Sequence, residues 1–133
     1  MILLVWNLFN VAVVYKLADW FFGNRNKTIL STLLFGVFST IPLLEGNIAN
    51  GEVFMIMPVA LGILLFVKEV EKKKFKGSSC LLVGFLFSVG FLFKIPVVFD
   101  LAAVILWFVF FDFKKIIDKR LWLVVIGFIL PIV

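Results

Sequence analysis

The side chains able to do chemistry in this sequence lie in two short polar stretches between long apolar runs. The first stretch is residues 44–52, with two carboxylates and two amides, and the second is residues 94–100. An ionisable group near the membrane is costly and usually faces protein or a water-filled cavity. These stretches therefore supply the candidate substrate-binding or donor-binding residues, which are Glu45, Asn47, Asn50, Glu52, Lys94 and Asp100.

Each of these residues also has a purely structural explanation. Lys94 can pair with a carboxylate or extend to lipid headgroups, and the two glutamates can be solvated charges in a loop. Asn47 and Asn50 suit a turn, because asparagine tolerates turn conformations and hydrogen-bonds to its own backbone. The residue types leave both explanations open.

The composition predicts an integral membrane protein. Of the 133 residues, 64% are hydrophobic and 16% are charged, with a mean hydropathy of +1.21. Soluble domains are about 45–50% apolar and about 25% charged. The net charge of +5 lies mostly in short segments between the apolar runs, so it predicts membrane lipids as partners and no nucleic acid.

The chain lacks the residues of the common metal and acid–base sites. It has no histidine and a single cysteine, Cys80, which excludes histidine-based acid–base catalysis and disfavours a zinc or iron site. The residues predict no metal site and no cofactor within this chain. They leave open whether a complete enzyme uses a divalent metal.

The apolar runs predict an all-α, multi-spanning transmembrane bundle that forms one domain. A helix needs about 20 residues to cross the hydrocarbon core, and the runs lack the alternation of barrel strands. About six spans are predicted, near residues 1–18, 28–44, 50–67, 77–93, 96–111 and 121–133. The first is short and the last stops partway, which predicts that the chain is an internal fragment of a longer protein.

Two features inside the spans predict local structure. Cys80, Gly84 and Ser88 recur at intervals of four residues, a stripe of small side chains that lets a neighbouring helix approach closely. Pro58 lies inside the third span and predicts a kink there.

The basic residues predict the orientation in the cell membrane. Of the 13 lysines and arginines, only Lys94 lies outside the loops at 16–27, 68–76 and 112–120. Basic loops stay cytoplasmic, so the alternating turns at 45–52 and 94–96 are predicted to be extracytoplasmic. All six candidate residues then belong to the extracytoplasmic side.

Two segments carry a resemblance to a known family. Residues 42–54, with the sequence PLLEGNIANGEVF, and residues 84–100, with the sequence GFLFSVGFLFKIPVVFD, resemble prokaryotic C-type glycosyltransferases of the dolichyl-phosphate-mannose protein mannosyltransferase type. In that family the second segment is typically a small-residue helix that ends in Phe-Lys, followed by a polar residue and proline. Ile95 departs from that pattern, because it stands where the family has the polar residue.

The resemblance implies an enzyme that transfers a sugar from a polyprenyl-phosphate donor to an acceptor on the extracytoplasmic face. It implies that Lys94 neutralises the donor phosphate and that nearby carboxylates and amides bind sugar hydroxyls or orient the acceptor. The family's general base is an acidic residue in a long first extracytoplasmic loop. This chain has no such loop, so the catalytic residues are unknown and the fragment is not expected to be active alone.

The residues themselves leave two other functions open. The chain can be a small carrier or channel subunit in which the charged residues bind the transported species. It lacks a carboxylate near the middle of a span, where transporters place their sites. It can also be a non-catalytic membrane scaffold whose polar residues bind a partner.

Overall fold

The computed structural model describes residues 2–41, 50–71, 76–111 and 119–133, and within these ranges the chain is all-helical. Its six helices are α1 (Ile2–Phe22), α2 (Arg25–Phe38), α3 (Gly51–Glu71), α4 (Gly77–Phe93), α5 (Val97–Phe111) and α6 (Lys119–Ile129). The candidate residues Glu45 and Asn47 lie outside the described residues.

Among the described residues, two helices are long and apolar enough to cross a membrane. These are α1 and α3, each 21 residues long. The apolar α4 has 17 residues, and α5 is a shorter apolar helix. The predicted all-α class is therefore confirmed, and two of the six helices meet the length needed for a span.

The connection expected over residues 16–27 is much shorter in the structure. Helix α1 continues through Phe22, and only two residues separate it from α2. Gly23 ends α1 with a positive φ of 55° and donates its backbone N–H to Asp19 O at 2.9 Å. Asn24 then caps α2, because its Oδ1 accepts from the backbone N–H of Asn26 at 3.0 Å. The expectation of a long loop was wrong because Lys16 and Asp19 lie on the last turns of a helix that has no break before the glycine.

Helix α4 is the centre of the bundle. It packs against α3 on one side and α6 on the other, while α1 packs against α2 and α3. Helix α5 lies against α3 and α4 and buries Val97 and Leu101 there. The core forms where these helices meet, around Phe87, which has no exposed surface.

Small residues form the contact between α4 and α6. Cys80, Gly84 and Ser88 are all buried. A Cβ atom on Gly84 would overlap the carbonyl oxygen of Val124, and one on Gly127 would overlap that of Leu81. The predicted packing role of the small-residue stripe is confirmed, because the backbones of α4 and α6 approach too closely for larger side chains.

Glycines also set the spacing between α3 and α4. A Cβ atom on Gly62 would lie 3.0 Å from the ring of Phe87, and one on Gly90 would lie 2.7 Å from Val59 Cγ2. At the start of α3, a Cβ atom on Gly51 would lie 2.5 Å from the carbonyl oxygen of Phe93. The start of α3 therefore touches the end of α4, and we call this part of the bundle the Lys94 end.

Gly84→Ala tests the close approach of α4 and α6. The added methyl group meets backbone atoms that cannot rotate away, so we expect the free energy of unfolding to fall by about 1–3 kcal/mol. Gly36→Ala on α2 is the matched control, because a Cβ atom there has no neighbour within 4 Å. It should leave stability unchanged or raise it by up to about 1 kcal/mol through helix propensity. Denaturant titration in detergent micelles measures both; equal effects would contradict the packing.

Candidate functional site

An ion pair joins two of the candidate residues at the Lys94 end. Lys94 Nζ donates to Glu52 Oε1 across 42 positions of sequence. Their side chains are 40% and 50% exposed. The pair is therefore open on one side, and a third charged group can approach the ammonium.

The helix ends favour the charge that each residue carries. Glu52 lies in the first turn of α3, where the partial positive charge of a helix N-terminus stabilises an anion. Lys94 follows the last residue of α4 and donates its backbone N–H to Gly90 O at 3.1 Å. A helix C-terminus stabilises a cation in the same way. Each charge is therefore stabilised both by the dipole of its own helix end and by the opposite charge of its partner.

The other described candidates have different environments. Asn50 Oδ1 accepts the backbone N–H of Val53 at 3.2 Å, which is the hydrogen bond of a helix N-cap. Asp100 lies in the first turn of α5 and lines a cavity of about 530 Å³ between α1, α3 and α5. The structure thus brings Glu52, Asn50 and Lys94 together at one end of α3, whereas Asp100 lines a separate cavity.

A group of polar side chains on α1, which are not among the residues predicted from the sequence, lies beside the same end of α3. Asn10 is only 1% exposed, and its Nδ2 donates to the carbonyl oxygen of Val53 at 3.0 Å. Trp6 Nε1 donates to the same oxygen at 3.2 Å, and Asn10 Nδ2 lies 3.4 Å from Asn7 Oδ1. The signal was present, because spacings of three and four residues place all three side chains on one helix face.

Aromatic rings tie the three helices together at this end. Trp6 and Phe54 lie with centroids 5.4 Å apart, and Phe54 stacks on Phe93 at 5.6 Å. Contacts of this geometry add to the burial of apolar surface. They hold α1 and α4 on either side of the first turns of α3, where the polar groups lie.

This arrangement suits binding of an anion more than proton transfer. The site has an accessible ammonium, a carboxylate beside it and several amides. Within residues 2–41, 50–71, 76–111 and 119–133, no cluster of three or more acidic, cysteine or histidine side chains is suited to hold a metal ion. Lys94 is the described group at this end that can neutralise a phosphate.

Comparison with known proteins identifies the family. The family model described as "Dolichyl-phosphate-mannose-protein mannosyltransferase" matches residues 1–133, so the chain belongs to this family of membrane glycosyltransferases that use lipid-linked sugars. Neither the curated proteins nor the solved structures include a match.

A double-mutant cycle on Lys94→Met and Glu52→Gln tests whether the ion pair serves stability. Both side chains are about half exposed, and exposed pairs contribute at most about 1 kcal/mol. We expect a coupling free energy no larger than that, measured by unfolding the four proteins in detergent. A coupling of several kcal/mol would mean that the pair is a structural element of the bundle.

Proposed function

We propose that this chain is part of a membrane glycosyltransferase that transfers a sugar from a polyprenyl-phosphate donor to an acceptor on the extracytoplasmic face. The observation that carries the proposal is the accessible Lys94–Glu52 pair in a member of the dolichyl-phosphate-mannose family. Lys94 is the donor-binding residue in this proposal. Glu52 and Asn50 lie beside it, while Glu45, Asn47 and Asp100 remain candidates from the sequence.

The donor phosphate replaces Glu52 as the partner of Lys94. A phosphodiester carries a negative charge and accepts charge-assisted hydrogen bonds, which are stronger than those between neutral groups. The lysine is already held at the helix ends by Glu52, so binding the donor exchanges one anion for another. This exchange keeps Lys94 in place at the helix ends and releases the Glu52 carboxylate, which turns away from the phosphate because two adjacent anions repel each other.

The orientation in the membrane supports this role. The described basic residues Lys16 on α1, Lys68 on α3 and Lys76 before α4 lie towards the ends of these helices opposite to Lys94. Basic segments favour the cytoplasmic side. In the proposed six-span topology, the basic segments within 16–27, 68–76 and 112–120 are on the cytoplasmic side, whether they lie on helix ends or between helices, and the segments at 45–52 and 94–96 are on the extracytoplasmic side. Lys94 then meets the phosphate at the outer interface.

Lys94→Met tests the phosphate site. Loss of a charge-assisted hydrogen bond costs about 1.5–3 kcal/mol, so the Kd for dolichyl phosphate should rise about 10- to 150-fold. The complete protein that contains this chain is titrated with dolichyl phosphate in lipid nanodiscs. Lys94→Arg, which keeps the charge, should retain part of the affinity.

Lys68→Met is the control, because it removes the positive charge of a lysine at a position away from the proposed phosphate site. Lys68 is exposed and lies near the opposite end of α3, so its substitution should leave the Kd unchanged. Equal affinities for the Lys94→Met and wild-type proteins would contradict the proposed phosphate site.

Single cysteines test the topology. In a cysteine-free background, Ile95→Cys introduces a thiol at a position that is 73% exposed beside Lys94. Lys76→Cys introduces one at an exposed position before α4. In intact cells, a membrane-impermeant maleimide should label Ile95→Cys and should label Lys76→Cys only after permeabilisation. The reverse pattern would invert the proposed orientation.

A further inference from the structure

A small pocket with a mainly apolar wall and a few polar side chains lies between α1, α2 and α3, next to the ion pair. Its volume is about 200 Å³, and Glu52 contributes to its wall. Asn7 and Asn10 line it from α1, and Ser39 closes α2 beside it. The pocket is separate from the cavity that Asp100 lines. Glu52 both lines the pocket and pairs with Lys94, so the pocket adjoins the ion pair.

Asn10, one of the residues that line this pocket, has a buried acceptor that is unsatisfied. The residue is only 1% exposed, and its Nδ2 donates a hydrogen bond to Val53 O. Within the described part of the chain, Asn10 Oδ1 has no hydrogen-bond partner. Leaving a buried acceptor without a partner costs about 1–3 kcal/mol, so a ligand that donates a hydrogen bond here removes that cost.

The walls define the chemistry of such a ligand. The lining includes Asn10 and Glu52, whose side-chain oxygens are hydrogen-bond acceptors, and apolar surface from Phe35, Phe38 and Ile56. Several acceptors beside aromatic rings suit a ligand that has hydroxyl donors on one edge and C–H groups on a face. A pyranose ring has both.

We propose that this pocket binds the hydroxyl groups of a sugar ring, with Asn10 Oδ1 as an acceptor that fixes its orientation. The proposal rests on the proposed function, because the sugar arrives beside the phosphate held by Lys94. The ring belongs either to the donor or to the acceptor. Asn10 is a binding residue in this account, and no bond is made or broken by it.

The experiment compares dolichyl-phosphate-mannose with dolichyl phosphate, using the complete protein in nanodiscs. The measured quantity is the ratio of their two Kd values, which isolates the contribution of the sugar and does not depend on the fraction of folded protein. Ile56→Phe fills the pocket without removing a hydrogen bond, and Asn10→Leu removes the acceptor. Asn10→Leu should reduce the preference for the mannosylated lipid about fivefold, the effect of losing about one hydrogen bond. Ile56→Phe should reduce it at least as much, because the larger side chain leaves less room for the sugar ring.

Ile29→Phe is the matched control, because Ile29 on α2 is 39% exposed and does not line the pocket. A second arm measures the Kd of methyl α-mannoside, a sugar without phosphate. A reduced preference in both pocket variants, but not in the control, assigns the pocket to the donor sugar. An unchanged preference with weakened methyl α-mannoside binding assigns it to an acceptor sugar.

The inference is overturned if the pocket variants change neither quantity, or if Ile29→Phe changes them equally. That result is distinct from failure of the proposed function. If Lys94 does not bind the donor phosphate, dolichyl phosphate itself binds no more weakly to Lys94→Met than to the wild-type protein, whatever the pocket variants do.

Discussion

Three glycines let α3 and α4 approach each other closely, and at Gly51 an added Cβ atom would overlap backbone of the other helix. Gly62 accommodates Phe87, Gly90 accommodates Val59, and Gly51 lies against the last carbonyl group of α4. Contacts spread along the length of two helices fix how far one can slide along the other. The first turn of α3 therefore meets the residue that follows α4, and this register creates the Lys94–Glu52 pair.

The polar groups near that register form two adjoining sites with different chemistry. The ion pair is exposed and charged, which suits exchange with an anionic phosphate. The pocket beside it contains a buried acceptor on Asn10 and aromatic surface, which suits a neutral ring with hydroxyl groups. A lipid-linked sugar has both parts in one molecule, joined through the phosphate. Glu52 lies at the junction, because it pairs with Lys94 and also lines the pocket.

Much of the helical architecture was predictable, because long apolar runs have few alternatives in a chain of this composition. The charged residues from Lys16 onwards predict an earlier end of α1, whereas Gly23 ends the helix in the structure. The partner of Lys94 could not be predicted, because the sequence contains several carboxylates that could pair with it. Only the register of α3 against α4 places Glu52 beside Lys94. Asn10 was overlooked because its importance depends on the carbonyl of Val53, a neighbour 43 positions away.

The central claim is that Lys94 binds the phosphate of the lipid-linked donor. Its side-chain amine should be modified by a soluble amine-reactive reagent in the free protein, since the side chain is 40% exposed. Mass spectrometry of the wild-type complete protein measures this modification with and without dolichyl phosphate, and exposed Lys76 serves as the internal reference. If Lys94 binds the donor phosphate, dolichyl phosphate should protect Lys94 from modification and leave the modification of Lys76 unchanged. Modification of Lys94 at the same rate with saturating dolichyl phosphate would contradict this claim.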